Sequence, residues 1–201
     1  MFLLALQAPP FELFGLPHLI VLTLIPILTI GLCQVAKRAP VSRTVRVQNW
    51  TLALVLLLCY PLKLWSAQIA GWPGMPLPMH LCDWAAILGA LTLIKRRHWM
   101  AELVWFWGIT GTVQGLLTPA LAFDFPHPRF IAFFILHASV VICSFYVVFG
   151  LGMAPRPGAV WRAFGSLQIY TLLAILFNLL ANQNYGFLCQ KPLSTSLLSF
   201  L

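Results

Sequence analysis

Charge is what this chain has least of. Charged residues make up 8% of the 201, and 4 acidic side chains stand against 12 basic ones, where a soluble domain carries roughly a quarter charged. With 61% of residues hydrophobic, lipid has to be the solvent for most of the surface, which makes the chain an integral membrane protein. Long polar stretches are missing as well. The longest runs from Lys37 to Asn49, so the expectation is a single transmembrane domain over 1–201, with no soluble module and no nucleic-acid partner. Met1 to Phe14 lacks the basic start of a cleaved signal peptide, and insertion is expected to begin with the first span. No internal repeat argues for a transporter of inverted halves. His80, Cys82, Asp83 and His127 show no recognised ligand spacing, so neither a metal nor another cofactor is expected.

What is present is apolar and segmented. A hydrocarbon core of about 30 Å needs roughly 20 helical residues, and six runs qualify, near 17–36, 50–70, 78–94, 99–121, 129–152 and 160–182. The fold expected is therefore an all-α polytopic bundle of about six spanning helices. The third run is short, stopped by Lys95-Arg96-Arg97, and is expected to begin inside the Pro-rich approach Pro73–Pro78, with Pro78 suited to a first helical turn. Lys and Arg concentrate in alternate loops: nine (Lys37, Arg38, Arg43, Arg46, Lys95, Arg96, Arg97, Arg156, Arg162) against Arg129 and Lys191, with Lys63 inside a span. The positive-inside rule puts the nine in the cytoplasm and both termini outside, beside anionic lipid headgroups.

That orientation gathers the polar residues of the spans in the outer half. Cys82 and Asp83 fall about one turn into span three, Gln114 a little over one turn from the outer end of span four, and His137 about two turns into span five, depths of roughly 5 to 12 Å. Ionisable groups there are costly unless paired or facing a wet cavity. Cys82, near a helix N-terminus, has three readings: a nucleophile aided by the helix dipole, a small packing residue like Cys33, Cys59 and Cys143, or a disulfide partner of Cys189 on the oxidising side. His137, in an otherwise apolar helix, is the best-placed base for a nucleophile, or else an interhelical hydrogen-bonding group. His80 and Asp83, three apart, can pair. Their pairing is an interfacial salt bridge, or Asp83 orients an imidazole or a lipid headgroup. Lys63 can snorkel outward or pair with Asp83.

Gln114 and Thr118 share a helix face beside the small-xxx-small pair Gly111 and Gly115, so Gln114 either packs or holds a substrate carbonyl. Asn178 and Asn182 bond neighbouring helices or a ligand, and Arg129 reads a phosphate or marks an interface. The tryptophans, including Trp50, Trp65, Trp72 and Trp84, cluster near span ends, as interface belts do.

His80-Leu81-Cys82-Asp83-Trp84, Phe106-Trp107-Gly108 with Gln114 and Thr118-Pro119, Pro126-His127-Pro128-Arg129-Phe130 followed by His137, Trp161-Arg162, and Asn184-Tyr185-Gly186 through Cys189-Gln190-Lys191-Pro192 together resemble the YwaF-like bacterial membrane family. That family is related to eukaryotic transmembrane protein 164. The resemblance covers roughly residues 12–200. It implies a multi-pass helical bundle of the bacterial inner membrane and, by analogy with the eukaryotic branch, phospholipid acyltransferase chemistry with Cys82 as nucleophile and His137 as base. Members commonly continue into one further apolar helix, so truncation at Leu201, or closure of the bundle by a membrane partner or a second copy, is an expectation that follows. The resulting hypothesis is a Cys/His acyltransferase or transacylase working on membrane lipids. His80, Asp83, Gln114, Arg129 and Asn178 are its candidate substrate-binding residues. A small-ligand carrier or receptor, and a non-enzymatic subunit, stand beside it.

Overall fold

A computed structural model describes residues 8–71 and 77–191. Trp72, residues 73–76 of the Pro-rich approach and Pro192 lie outside them. Seven α-helices follow in order: α1 Leu16–Arg38, α2 Arg43–Ile69, α3 Leu81–Lys95, α4 His98–Trp107, α5 Val113–Leu117, α6 Pro128–Phe145 and α7 Ala159–Ala181. Two π-helical turns, Gly108–Thr112 and Tyr146–Gly150, and a 3-10 turn, Tyr185–Phe187, complete them, and no strand occurs among the described residues. Four helical stretches are long and apolar enough to cross a membrane: Leu16–Arg38, Arg43–Ile69, Pro128–Gly150 and Ala159–Ala181.

Spans three and four differ from expectation. Helix α3 begins at Leu81, not inside the Pro-rich approach, because His80 is the N-cap in extended conformation. Its 15 residues rise only about 22 Å, short of a full hydrocarbon crossing. The fourth is divided: α4 passes through the Gly108–Thr112 π-turn into α5, which ends at Leu117. The π-turn opens on a close helix contact. A Cβ at Gly108 would run into Ser144 Oγ on α6, so the two backbones approach as closely as glycine permits, and Ser144 Oγ bonds Val104 O across the gap at 2.9 Å.

Local signals set the other ends. Ser42 caps α2 by accepting from the Val45 N–H, and Lys37 and Arg38 close α1 at the negative end of its dipole. Pro128 at the first position starts α6 where no N–H is needed. Gly158 and Asn182 bracket α7 in left-handed conformation.

Packing is inverted relative to a soluble protein. The core is rich in small residues, Ala36, Ala53, Ala85, Ala86, Ala90, Ala101, Ala163 and Ala174, while Leu16, Trp161, Leu179 and Leu180 are 72–76% exposed. Among lipid tails, large apolar side chains gain nothing by burial, and small ones let helices approach. Helix α6 is central, with 67% of its span buried against 17% for α1 and 22% for α7, and it packs on α1, α2, α3, α4 and α5.

The basic loops share one end of the bundle. Arg46, after the α1–α2 turn, and Arg96, after α3, line the same cavity. Arg156 and Arg162 close on Glu102 in the first turns of α4. The ends of α2, α5 and α7 and the starts of α3 and α6 form the opposite end.

Candidate functional site

At that opposite end, Lys63 of α2 reaches Asp83 of α3. Pro61 lies inside α2 two residues earlier, and Nζ stands 2.6 Å from Asp83 Oδ2. The same oxygen accepts the His80 N–H at 3.2 Å, so the carboxylate also caps α3. The anticipated pairing of His80 with Asp83 is therefore made by the backbone of His80, and Lys63 takes the ionic role. The His80 imidazole turns to the C-terminal segment: Nδ1 accepts the Gly186 N–H at 3.4 Å, and the ring meets the Tyr185 ring edge-on at 5.4 Å.

Asp83 is 3% exposed, and its Oδ1 is buried with no partner among the described residues. Trp107 Nε1 is the other such buried side-chain atom. Both belong to helices that meet around Cys82, which packs against a core containing Trp107 and Tyr170. Tyr170 in turn gives its hydroxyl proton to Met79 O at 3.0 Å. All five cysteines are free thiols, Cys82 partly exposed and Cys189 exposed. A disulfide between those two is not formed, which leaves nucleophile and packing residue as the readings of Cys82.

His137 stands on α6 and is 8% exposed. Its Nδ1 lies 2.8 Å from Phe133 O, and its ring stacks on Phe133 with centroids 3.9 Å apart. A carbonyl oxygen can only accept, so Nδ1 carries the proton and Nε2 keeps its lone pair. Nε2 bonds no described residue and is not sealed among the buried unpartnered atoms. It faces Gly115, where a Cβ would lie 3.0 Å from it and 2.8 Å from the ring carbon Cδ2. Gly111, one turn earlier, gives the same room to Leu81 of α3, 3.1 Å from its own would-be Cβ. The small-xxx-small pair thus presses the fourth segment against both the start of α3 and the imidazole. No hydrogen bond joins Cys82 to His137 among the described residues.

The remaining candidates sort by what holds them. Gln114 is exposed, and its carbonyl accepts the Thr118 N–H at 3.0 Å. Asn178 is 3% exposed and committed to the backbone of Tyr185, donating to its O at 3.0 Å and accepting from its N at 2.6 Å. That fastens the segment after α7 over the site. Arg129 is half-buried and donates its N–H to His127 Nδ1, the cap of α6. Burial, and then the Arg129 charge, lower the pKa of His127, so the neutral acceptor form is kept.

Two residues escaped the sequence reading. Glu102 is 1% exposed and gathers Arg156 Nε and Arg162 Nε and Nη2 at 2.8 to 2.9 Å. His18, fully buried, accepts the Phe14 N–H on Nδ1 and therefore donates from Nε2 to Leu116 O at 2.8 Å. Each is an ionisable group inside an apolar helix, the signal that singled out Asp83 and His137.

Small-residue packing, lipid-facing leucines and a polar group held at one end define a multi-pass helical membrane protein. The chain belongs to the TMEM164 family, whose profile matches residues 13–201. Comparison with curated proteins and with solved structures finds no match.

Proposed function

We propose that the protein is a membrane-embedded acyl-transfer enzyme acting on phospholipid, with Cys82 as nucleophile and His137 as general base. One observation carries the reading. His137 is locked on the most buried spanning helix in the tautomer that leaves Nε2 free to accept a proton, the state a base must be in before it acts.

In the proposed cycle Nε2 takes the Cys82 thiol proton, directly or through one water, as the sulfur attacks an ester carbonyl carbon. Transfer coupled to attack needs no resting thiolate. The carbonyl electrons move to oxygen, where an N–H at the start of α3 or the Gln114 amide receives the charge. Collapse breaks the C–O bond, the imidazolium returns its proton to the departing lysolipid oxygen, and Cys82 holds the acyl group as a thioester. A lysolipid hydroxyl or water, deprotonated by His137, then attacks the thioester and restores the thiol. The Lys63–Asp83 pair keeps the charge beside the sulfur balanced. With the basic loops in the cytoplasm, soluble acyl-CoA is on the wrong side of the membrane, so a phospholipid is the natural donor and the activity is that of a transacylase or lipase.

A second reading, a carrier or receptor for a small polar ligand, is favoured by the unpartnered Asp83 Oδ1 and Trp107 Nε1, since buried polar atoms want partners. Intact-mass analysis of the full chain after incubation with phospholipid, or with an activated acyl ester, separates the two. The expected result is one acyl mass on Cys82, absent in Cys82→Ser and formed about 10²- to 10⁴-fold more slowly in His137→Ala. An adduct that survives Cys82→Ser, or a folded wild-type chain that never acquires one, rejects the acyl-enzyme. Ligand movement that stops in Asp83→Asn with no adduct at all installs the carrier instead.

A further inference from the structure

The basic end of the bundle holds a second site, remote from Cys82. A cavity of about 270 Å³ opens between Arg46, Asn49 and Trp50 of α2 on one side and Leu93, Ile94 and Arg96 at the end of α3 on the other. Its size is close to the lower limit of ligand pockets, roughly 300 Å³. Its charge is uncompensated. Neither Arg46 nor Arg96 makes an ion pair among the described residues, and the chain's four acidic side chains, Glu12, Asp83, Glu102 and Asp124, all lie elsewhere.

The floor is built. Asn49 is 8% exposed, and its Oδ1 accepts the Tyr146 hydroxyl at 3.0 Å. Asn49 also lines the cavity, and its amide nitrogen bonds no described residue. Tyr146 is fully buried and also reaches Gln48 Oε1 at 3.3 Å, so the amide is held in place. Arg96 stands at φ 52°, ψ 41°, a left-handed conformation that a non-glycine residue adopts at a cost. That conformation ends α3, with the Arg96 N–H on Thr92 O, and sets Arg96 at the mouth of the cavity.

The rim selects the source of the anion. Trp50 is 57% exposed and Ile94 40%, beside two guanidinium groups that suit phosphate oxygens. We propose that this cavity binds the phosphate of an anionic phospholipid headgroup from the leaflet on the basic side, gripped by Arg46 and Arg96 and received by the Asn49 amide. Trp50 and Ile94 lie against the glycerol and the first methylenes, contacts that free phosphate cannot make.

Native mass spectrometry of the full chain with phosphatidylglycerol, phosphatidylcholine and inorganic phosphate tests this. Phosphatidylglycerol is expected to stay bound in preference to phosphatidylcholine. A surface charge is worth about a factor of five toward anionic lipid, so Arg46→Gln with Arg96→Gln should weaken retention by about thirtyfold. Asn49→Asp keeps the acceptor for Tyr146 but turns a carboxylate oxygen toward the phosphate, and it should weaken retention while helical content and melting stay near wild type. Arg38→Gln, an exposed basic residue off the cavity, should change little. A loss in Arg38→Gln as large as in the double variant means general surface attraction and overturns the site. Displacement of the lipid by inorganic phosphate alone overturns the lipid assignment. If Asn49→Asp folds and binds as well as wild type, the floor is not part of any site.

Discussion

Gly115 is where one missing methyl sets the position of the candidate base. Its would-be Cβ lies 2.8 Å from His137 Cδ2, closer than side-chain carbons come. The imidazole cannot swing away cheaply, because Nδ1 is tied to Phe133 O and the ring is stacked on Phe133. Gly115→Ala should therefore overpack the contact between α5 and α6, at a cost of about 1 to 3 kcal/mol, and displace Nε2. The expected outcome is a lowered melting temperature in detergent together with acyl transfer to Cys82 slowed as much as in His137→Ala. A variant that melts lower yet acylates at the wild-type rate would take His137 out of the chemistry. That His137 needed a role was legible in the sequence, since an imidazole among apolar residues is costly in lipid. What it faces was not, because Gly115 is 22 residues away on another segment. His80 shows the converse: three-residue spacing to Asp83 suggested two side chains meeting, and instead the Asp83 carboxylate accepts the His80 N–H as a helix cap and holds Lys63 on the same oxygen.

Between elements, one carboxylate fastens a helix that otherwise has little to hold it. Helix α7 buries only 22% of its span, and in a bilayer its leucines face lipid as readily as protein, so apolar burial does not keep it docked. Glu102 does so through Arg156 in the preceding loop and Arg162 in its first turn, with both arginines on a carboxylate that is 1% exposed. Removing one partner of a fully buried pair costs about 3 to 5 kcal/mol. Because the arginines are 51% and 44% exposed, water takes up their charge once the carboxylate is gone, so Glu102→Ala should lower stability by well below that. The check is melting in detergent with limited proteolysis: cleavage in the 151–158 loop should accelerate in Glu102→Ala and far less in Glu102→Gln, which keeps a hydrogen-bond acceptor. Equal behaviour of both variants and wild type would mean that α7 is held by packing alone. Sequence spacing could not reveal this clamp, since its partners lie 54 and 60 residues from Glu102. The interruption of the fourth span is similar in kind. Gly108 reads as an ordinary glycine until α6 brings Ser144 against it.

At the scale of the molecule, composition was enough for the class of fold, because a chain with so few charges and so many apolar residues has only lipid to dissolve in. Periodicity placed six apolar segments at or near the helices found. It already marked the third run as short and the fourth as one passage, but not that α3 waits until Leu81 to begin or that a π-turn divides the fourth into α4 and α5. Which end faces which compartment rests on the positive-inside rule alone, and it decides the chemistry. On the acyl-transfer proposal, a Cys82 end outside calls for a lipid donor; reversed, cytosolic acyl-CoA could reach the thiol. The chain carries its own reporter, since Cys189 is an exposed thiol at the Cys82 end while Cys33, Cys59 and Cys143 are buried. In sealed cells with the protein's outer face accessible, a membrane-impermeant maleimide should label Cys189 of the wild type. In a Cys189→Ser background, Val41→Cys, 88% exposed in the turn between α1 and α2, should react only after permeabilisation. The opposite pattern would invert the bundle, move the arginine-lined cavity to the outer leaflet, and make a thioester donor the first substrate to test.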